Sequence, residues 1–323
     1  MPIKIVVIPG LTLTEVTDAD IERIADSAGP GSEVVVTAFA AAEAHITDAD
    51  VVLGILPPKL FNAATKLRWV QSISSGVDSF MYPEFINSHV VLTSEKGLVG
   101  EHLADHGFGL LLMLTRQLHL ARDLQAESWQ HRPALRAQEI ELTDRTMTII
   151  GLGGTGRAMA RRAVAFGMQV IAVDRDPVEP MPGVELLVGE DRLADVLGQT
   201  DVLSVCCPLT ESTHGLINQR TLGRLKPGAF LVNVTRGEVM VEDDLVAALK
   251  SRHLRGAALD VAPREPLPAD SELWQLDNVV MTPHTAGASQ FRAQRNLDRF
   301  VANVGRFVRG ETLEGIIDKT LGY

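Results

Sequence analysis

A short apolar run, Thr146-Met147-Thr148-Ile149-Ile150, leads directly into Gly151-Leu152-Gly153-Gly154-Thr155-Gly156 and then into a helical stretch, Arg157 to Phe166. A strand, a glycine-rich turn and a helix in that order form the first unit of a dinucleotide-binding domain. Gly151 makes the turn, Gly153 lets the backbone approach a pyrophosphate, and Gly156 permits the helix to pack closely on the strand. The helix N-terminus then offers unpaired N–H groups and partial positive charge to phosphates. Asp174 ends the next strand, 18 residues beyond Gly156, where a carboxylate accepts hydrogen bonds from a ribose and repels a 2′-phosphate. That favours NAD. The adjacent Arg175 leaves NADP open, since a guanidinium there could hold the phosphate or stack on adenine.

Further strands flank this unit on both sides. Ile3–Ile8, Glu33–Thr37, Val51–Leu56, Trp69–Ile73 and Val90–Thr93 read as buried parallel strands, with a helix expected over Asp18–Ala28. A long helix is expected from Val99 to about Leu120, followed by an irregular polar stretch, Ser128–Glu139, read as a protruding arm. The second series of strands comprises Thr146–Ile150, Gln169–Val173, Val202–Cys206, Phe230–Asn233, Gly256–Leu259 and Val279–Met281. A last helix is expected over Ala288–Arg309. At 323 residues the chain has length for two domains. The expected fold class is α/β with two doubly wound domains.

Composition removes several classes of function. With 22% charged and 46% hydrophobic residues the chain is ordinary for a globular protein, and its net charge of −11 lacks the basic footprint of a nucleic-acid binder. The two cysteines, Cys206 and Cys207, are adjacent, which argues against a disulfide framework and for a reducing compartment. The N-terminal run Ile3–Ile8, ended by Pro9-Gly10, lacks the cationic start of a signal peptide. The longest later apolar run, Phe108–Leu114, falls well short of the ~20 residues of a membrane span. A cytoplasmic, soluble protein is expected, with no nucleic-acid or membrane partner.

Three polar residues follow late strands, where an open parallel sheet presents its ligands. They are Arg236 in Asn233-Val234-Thr235-Arg236-Gly237, Glu265 in Asp260–Leu267, and His284 in Thr282–Gly287. Reduction of a 2-oxo acid needs a hydride source, a proton donor for the carbonyl oxygen and a cation for the carboxylate. Histidine suits the second task, a nearby carboxylate keeps it protonated and oriented, and arginine matches a planar carboxylate.

With these motifs the chain resembles the D-isomer-specific 2-hydroxyacid dehydrogenases, which include phosphoglycerate dehydrogenases and glyoxylate/hydroxypyruvate reductases. The resemblance runs from Trp69-Val70-Gln71 and Ser75-Gly76-Val77-Asp78 through Gly100-Glu101-His102 to Thr282–Gly287. Between them it takes in Pro208-Leu209-Thr210, Thr213, Gly215-Leu216-Ile217-Asn218 and Leu225–Ala229. It implies a flavodoxin-like substrate domain formed by residues 1–98 with 288–323, and a Rossmann domain formed by 99–287. It also implies that Arg236, Glu265 and His284 are catalytic, and that backbone N–H groups of Ser75, Gly76 and Val77 grip the substrate carboxylate. The implied cofactor contacts, besides the glycine turn with Gly154 and Thr155, are Asp174, Arg175, Cys207, Pro208, Thr213, Val234, Thr235, Asp260, His284, Ala286 and Gly287. A homodimer is implied, with the long helix and arm at its interface. The implied reaction moves a hydride between NAD(H) and a small D-2-hydroxy acid or its 2-oxo partner.

Two departures stand out. Thr155 replaces the aliphatic residue usual in this turn, and the sequence ends at Tyr323 without the regulatory extension of many phosphoglycerate dehydrogenases, so serine feedback is not expected. The alternative class is a non-enzymatic dimeric NAD(H) sensor, like corepressors that share this fold and retain the triad. A formate-type dehydrogenase ranks below both, because those relatives carry glutamine where this chain has Glu265. His102 and His106 share a helix face at i, i+4, but Leu103 stands where a metalloprotease helix needs glutamate, so packing or interface roles are expected and no metal. Cys206 and Cys207 close an apolar strand and are expected to be buried rather than redox-active.

Overall fold

The computed structural model describes residues 2–176 and 178–323. The chain forms two compact units, Met1–Val99 with Ala288–Tyr323, and Gly100–Gly287. The first holds five parallel strands: β1 (Lys4–Val7), β2 (Glu33–Val36), β3 (Val51–Leu53), β4 (Trp69–Gln71) and β5 (Val91–Thr93). Their order, β2-β1-β3-β4-β5, is that of flavodoxin-like sheets. β3 and β4 are buried at every position, as a parallel sheet covered on both faces requires. β3 is shorter than its apolar run because Gly54 turns the chain at φ +150°, with its α-carbon packed against Ile8.

The helix Asp18–Ala28 forms as expected. Thr17 Oγ1 accepts from Asp20 N–H and Asp20 Oδ2 accepts from Thr17 N–H, a reciprocal cap in which the threonine alone stabilises by about 1 kcal/mol. The last helix spans Arg292–Arg309, beginning later than its pattern, and returns to the first unit. Its Leu297, Phe300 and Val304 join the cluster around Trp69, whose ring lies 5.2 Å from that of Phe300. Trp69 Nε1–H donates to Thr93 Oγ1 at 2.8 Å, so the indole is buried without an unpaired donor.

The second unit holds β6 (Thr146–Ile150), β7 (Gln169–Val173), β8 (Leu186–Val188), β9 (Val202–Val205), β10 (Ala229–Asn233), β11 (Leu254–Leu259) and β12 (Val279–Met281). All pair in parallel, in the order β12-β11-β10-β9-β6-β7-β8, the Rossmann arrangement with one strand added. Both sheets are thus doubly wound, and the fold class is α/β.

Three expectations are corrected here. β8 was not expected: it is three residues long, at the sheet edge, with Leu186 39% exposed, too brief for a buried-strand pattern. The long helix is two helices, Gly100–Thr115 and Leu118–Leu124, parted at Gln117, whose φ is 53° and whose Nε2–H donates to Leu114 O. The stretch Ser128–Glu139, read as an irregular arm, begins in the helical turn Gln125–Trp129 and is mostly a helix, Arg132–Gln138, with Pro133 in its first turn where no N–H is needed. Among the described residues, no helix is long and apolar enough to cross a membrane.

Candidate active site

The turn after β6 has the shape a dinucleotide requires. Gly151 sits at φ +92°, and a Cβ there would lie 2.8 Å from Cys207 N. At Gly156 a Cβ would meet Gly151 O at 1.9 Å, so the close helix–strand approach admits glycine alone. Gly153 differs: it caps the helix Gly154–Ala165 at an ordinary φ of −75°, is exposed, and a Cβ on it would touch no protein atom within 4 Å. Its glycine identity answers no need of the protein's own packing. It does suit a backbone that must lie against a pyrophosphate, so the residues fit the implied group.

Asp174, just beyond β7, accepts from Leu152 N–H through Oδ2 at 2.6 Å and from Asp176 N–H through Oδ1 at 3.1 Å. The carboxylate is therefore held against the glycine turn. Arg175 is exposed, with its Nε 3.5 Å from Asp176 Oδ1. Thr155 is half-buried at the helix start. Cys207 is buried and Pro208 exposed, while Thr213 Oγ1 donates to Pro208 O at 2.7 Å and accepts from Thr210 N–H, bracing that loop. Cys207 is buried as expected, whereas Cys206 is half-buried; burial pushes both thiols up to about 12.

The three candidate catalytic residues all lie in this unit, beyond the carboxyl ends of β10, β11 and β12. Arg236 is set by Asn233, a residue the sequence reading passed over. The buried Asn233 donates from Nδ2 to Arg236 O at 2.9 Å and accepts through Oδ1 from Thr235 N–H, folding Val234-Thr235-Arg236 into a fixed turn. A polar residue closing an otherwise apolar strand was the available signal. Arg236 Nη1 donates to Thr235 O at 2.8 Å, and Gly237 packs so closely on Ala262 that a Cβ would overlap its carbonyl.

His284 Nδ1 hydrogen-bonds Glu265 Oε2 at 2.7 Å, while Glu265 Oε1 accepts from Ala262 N–H at 3.1 Å. The carboxylate is thus anchored to the backbone and orients the imidazole. His284 has φ 54°, in the left-handed region that non-glycine residues avoid. Asp260 holds it there. Its carbonyl accepts from His284 N–H at 2.8 Å, and its carboxylate, 1% exposed, accepts from Thr285 N–H and Ala286 N–H at 2.8 Å each and from Thr282 Oγ1 at 2.6 Å. The Asp260 side chain is therefore committed to the loop that carries His284, Ala286 and Gly287.

In the first unit, Ser75, Gly76 and Val77 form the loop after β4. Ser74 Oγ donates to Gly76 O at 2.7 Å, which fixes the loop's course. Ser75 and Gly76 are half-buried and Val77 is buried.

Comparison with known proteins agrees with this geometry. The family model for the NAD binding domain of D-isomer specific 2-hydroxyacid dehydrogenases matches residues 108–286. Glyoxylate/hydroxypyruvate reductase A of Citrobacter koseri is 35% identical over 85% of this chain and 88% of its own. A D-isomer specific 2-hydroxyacid dehydrogenase family protein from Aeromonas salmonicida, of known crystal structure, is 32% identical with a TM-score of 0.81, covering 98% of this chain and 99% of its own. The NADPH-dependent glyoxylate/hydroxypyruvate reductase of Sinorhizobium meliloti, solved with NADP and sulfate, is 29% identical with a TM-score of 0.80 over 99% and 100% of the two chains. A doubly wound fold, a glycine turn shaped for a dinucleotide and matches of this extent place the chain in the D-isomer specific 2-hydroxyacid dehydrogenase family, as an oxidoreductase with a nicotinamide dinucleotide-binding domain.

Proposed function

We propose that this oxidoreductase acts between NAD(H) and a small D-2-hydroxy acid or its 2-oxo partner, with His284 as the proton donor in reduction. The observation that carries the reading is the Glu265–His284 hydrogen bond at 2.7 Å. With Nδ1 engaged by the carboxylate, Nε2 is the nitrogen left to hold a proton and pass it to a carbonyl oxygen. Glu265 keeps the ring from rotating. Arg236 takes the substrate carboxylate through its planar fork. The glycine turn and the N-terminus of the helix Gly154–Ala165 would hold the pyrophosphate, and Asp174 the adenosine ribose. Cys207, Pro208, Thr213, Val234, Thr235, Ala286 and Gly287 complete the proposed dinucleotide contacts. When bound, the reduced nicotinamide supplies the hydride.

Asp174 supports NAD over NADP, because a 2′-phosphate would meet its charge beside the turn. The NADPH reading has two supports, the exposed Arg175 next to it and the NADPH dependence stated for the Sinorhizobium relative. The test is oxidation of NADH and of NADPH with glyoxylate, hydroxypyruvate and pyruvate. NADH should be preferred, and Asp174→Ala should narrow the gap by removing the repulsive charge. A wild-type protein that prefers NADPH would transfer the selecting role to Arg175. A homodimer belongs to the same reading: the segment 117–139 leaves Trp129 77% exposed and Leu118 53% exposed, apolar surface of the kind that a second copy covers.

A further inference from the structure

One histidine outside the candidate triad is wired to it. His106, in the helix Gly100–Thr115, has Nε2 2.7 Å from Thr282 Oγ1, across 176 residues of sequence. Thr282 follows β12, and its single hydroxyl hydrogen is spent on Asp260 Oδ1 at 2.6 Å. The threonine oxygen can therefore only accept from His106, whose hydrogen must lie on Nε2. The order is fixed: His106 Nε2–H donates to Thr282, Thr282 donates to Asp260, and Asp260 receives the backbone N–H groups of Thr285 and Ala286. Nε2 of His106 also lies 3.5 Å from Asp260 Oδ1.

A carboxylate 1% exposed is costly unless its oxygens are occupied. A non-glycine residue held at φ 54° persists only where its surroundings over-determine it. Both demands meet at Asp260. Its Oδ2 serves Ala286 N–H, its carbonyl serves His284 N–H, and its Oδ1 is shared by Thr285 N–H and the Thr282 hydroxyl. Thr282, oriented by His106, thus sets the angle at which the carboxylate meets the loop.

We propose that Thr282 and His106 are positioning residues for the proton donor: they orient the Asp260 carboxylate, which in turn fixes the backbone on which His284 stands. The proposal rests on His284 being that donor. Neither residue reaches the substrate in this role, so their removal should lower kcat with KM nearly unchanged, and dinucleotide affinity should fall by less than kcat, through Ala286 and Gly287 on the same loop. The helix Gly100–Thr115, the end of β11 and the end of β12 are thereby tied through one chain of hydrogen bonds.

The test uses the full chain and four variants, with steady-state kinetics on the best 2-oxo acid, dinucleotide binding by fluorescence, melting temperature and histidine-ring NMR. Thr282→Val removes the hydroxyl at nearly constant volume and should lower kcat by about ten- to a hundredfold, the effect of one hydrogen bond to a charged group. Thr282→Ser should restore most of it. His106→Leu should lower kcat by less, and His106→Gln, which keeps an N–H donor, should recover part of the loss. In the wild-type spectrum the His106 ring should carry its hydrogen on Nε2, and the His284 ring signals should move in Thr282→Val. Wild-type kcat in Thr282→Val, or a serine variant as impaired as the valine one, overturns the proposal. So does a loss confined to melting temperature. If the wild type reduces no 2-oxo acid, the proposed function fails, and the spectra still decide: unmoved His284 signals in Thr282→Val would refute the positioning chain on their own.

Discussion

Replacing Gly153 with alanine separates what the glycine turn does for the protein from what it does for a dinucleotide. No protein atom lies within 4 Å of the added methyl, and φ is −75°, a value any residue adopts. Folding should therefore change little: alanine restricts the unfolded chain by about 0.4–1 kcal/mol, but it is a poorer N-cap than glycine by a similar amount, so the melting temperature should stay within about 2 °C of wild type. Dinucleotide binding should suffer, since the methyl stands where the backbone must approach the pyrophosphate. Loss of one charge-assisted hydrogen bond there, worth about 1.5–3 kcal/mol, weakens Kd by about ten- to a hundredfold. The control is Gly156→Ala, whose methyl would overlap Gly151 O at 1.9 Å. It should cost at least about 1–3 kcal/mol and lower the melting temperature by about 2–10 °C. Calorimetry and titration with NADH measure both quantities. Unaltered NADH affinity in Gly153→Ala, or a loss of stability equal to that of Gly156→Ala, would refute the assignment of this turn to the pyrophosphate.

Arg236→Lys keeps the charge but loses the planar fork, so kcat/KM should fall by about ten- to a hundredfold with dinucleotide affinity unchanged, as steady-state kinetics and NADH titration would show. Burial works to raise the pKa of Asp201, yet hydrogen bonds from Lys226 and Thr146 N–H and the charges of Lys226 and Arg145 outweigh it and leave the carboxyl below the usual range. A depressed folded pKa gives stability that is present above the ordinary carboxylate pKa and lost as pH falls through the folded value. The urea midpoint of Asp201→Asn should therefore lie below wild type near neutrality, with the gap closing as pH drops through and below about 4. With burial holding both thiols near 12, neither Cys206 nor Cys207 should react with a thiol-specific reagent at about pH 8 until the chain is unfolded, when both should titrate.

Much of the architecture was legible because parallel strands buried on both faces leave unbroken β-branched runs. β6, β7 and β12 have the bounds expected from their residues, each stopped by glycine, a charge or Thr282-Pro283. Where the structure departs, the sequence carries no local signal for it. Leu114 to Leu124 carries no glycine or proline, and its leucines continue the helical pattern, yet the chain breaks at Gln117. β8 is too short to repeat any period and owes its place to pairing with β7. The residues of the candidate triad were legible as motifs; the groups that aim them were less so. Asn233 looked like the end of a strand, and His106 like packing on a helix face, because its partner Thr282 lies 176 residues away. Asp260 is expected among the cofactor contacts from resemblance alone, and nothing local in the sequence shows that its buried carboxylate also accepts from the loop around His284.

The most direct measurement compares NADH oxidation by the wild type and by His284→Ala across glyoxylate, hydroxypyruvate, pyruvate and longer 2-oxo acids, with NADH affinity measured on the same samples. The 2.7 Å pairing of His284 with Glu265 leads us to expect turnover of at least one of these acids by the wild type. His284→Ala should lower it by about 10²–10⁴-fold at unchanged NADH affinity. A wild type that binds NADH tightly but reduces none of them, or a His284→Ala variant that turns over as fast as the wild type, would contradict the assignment of His284 as proton donor in a 2-oxo acid reductase.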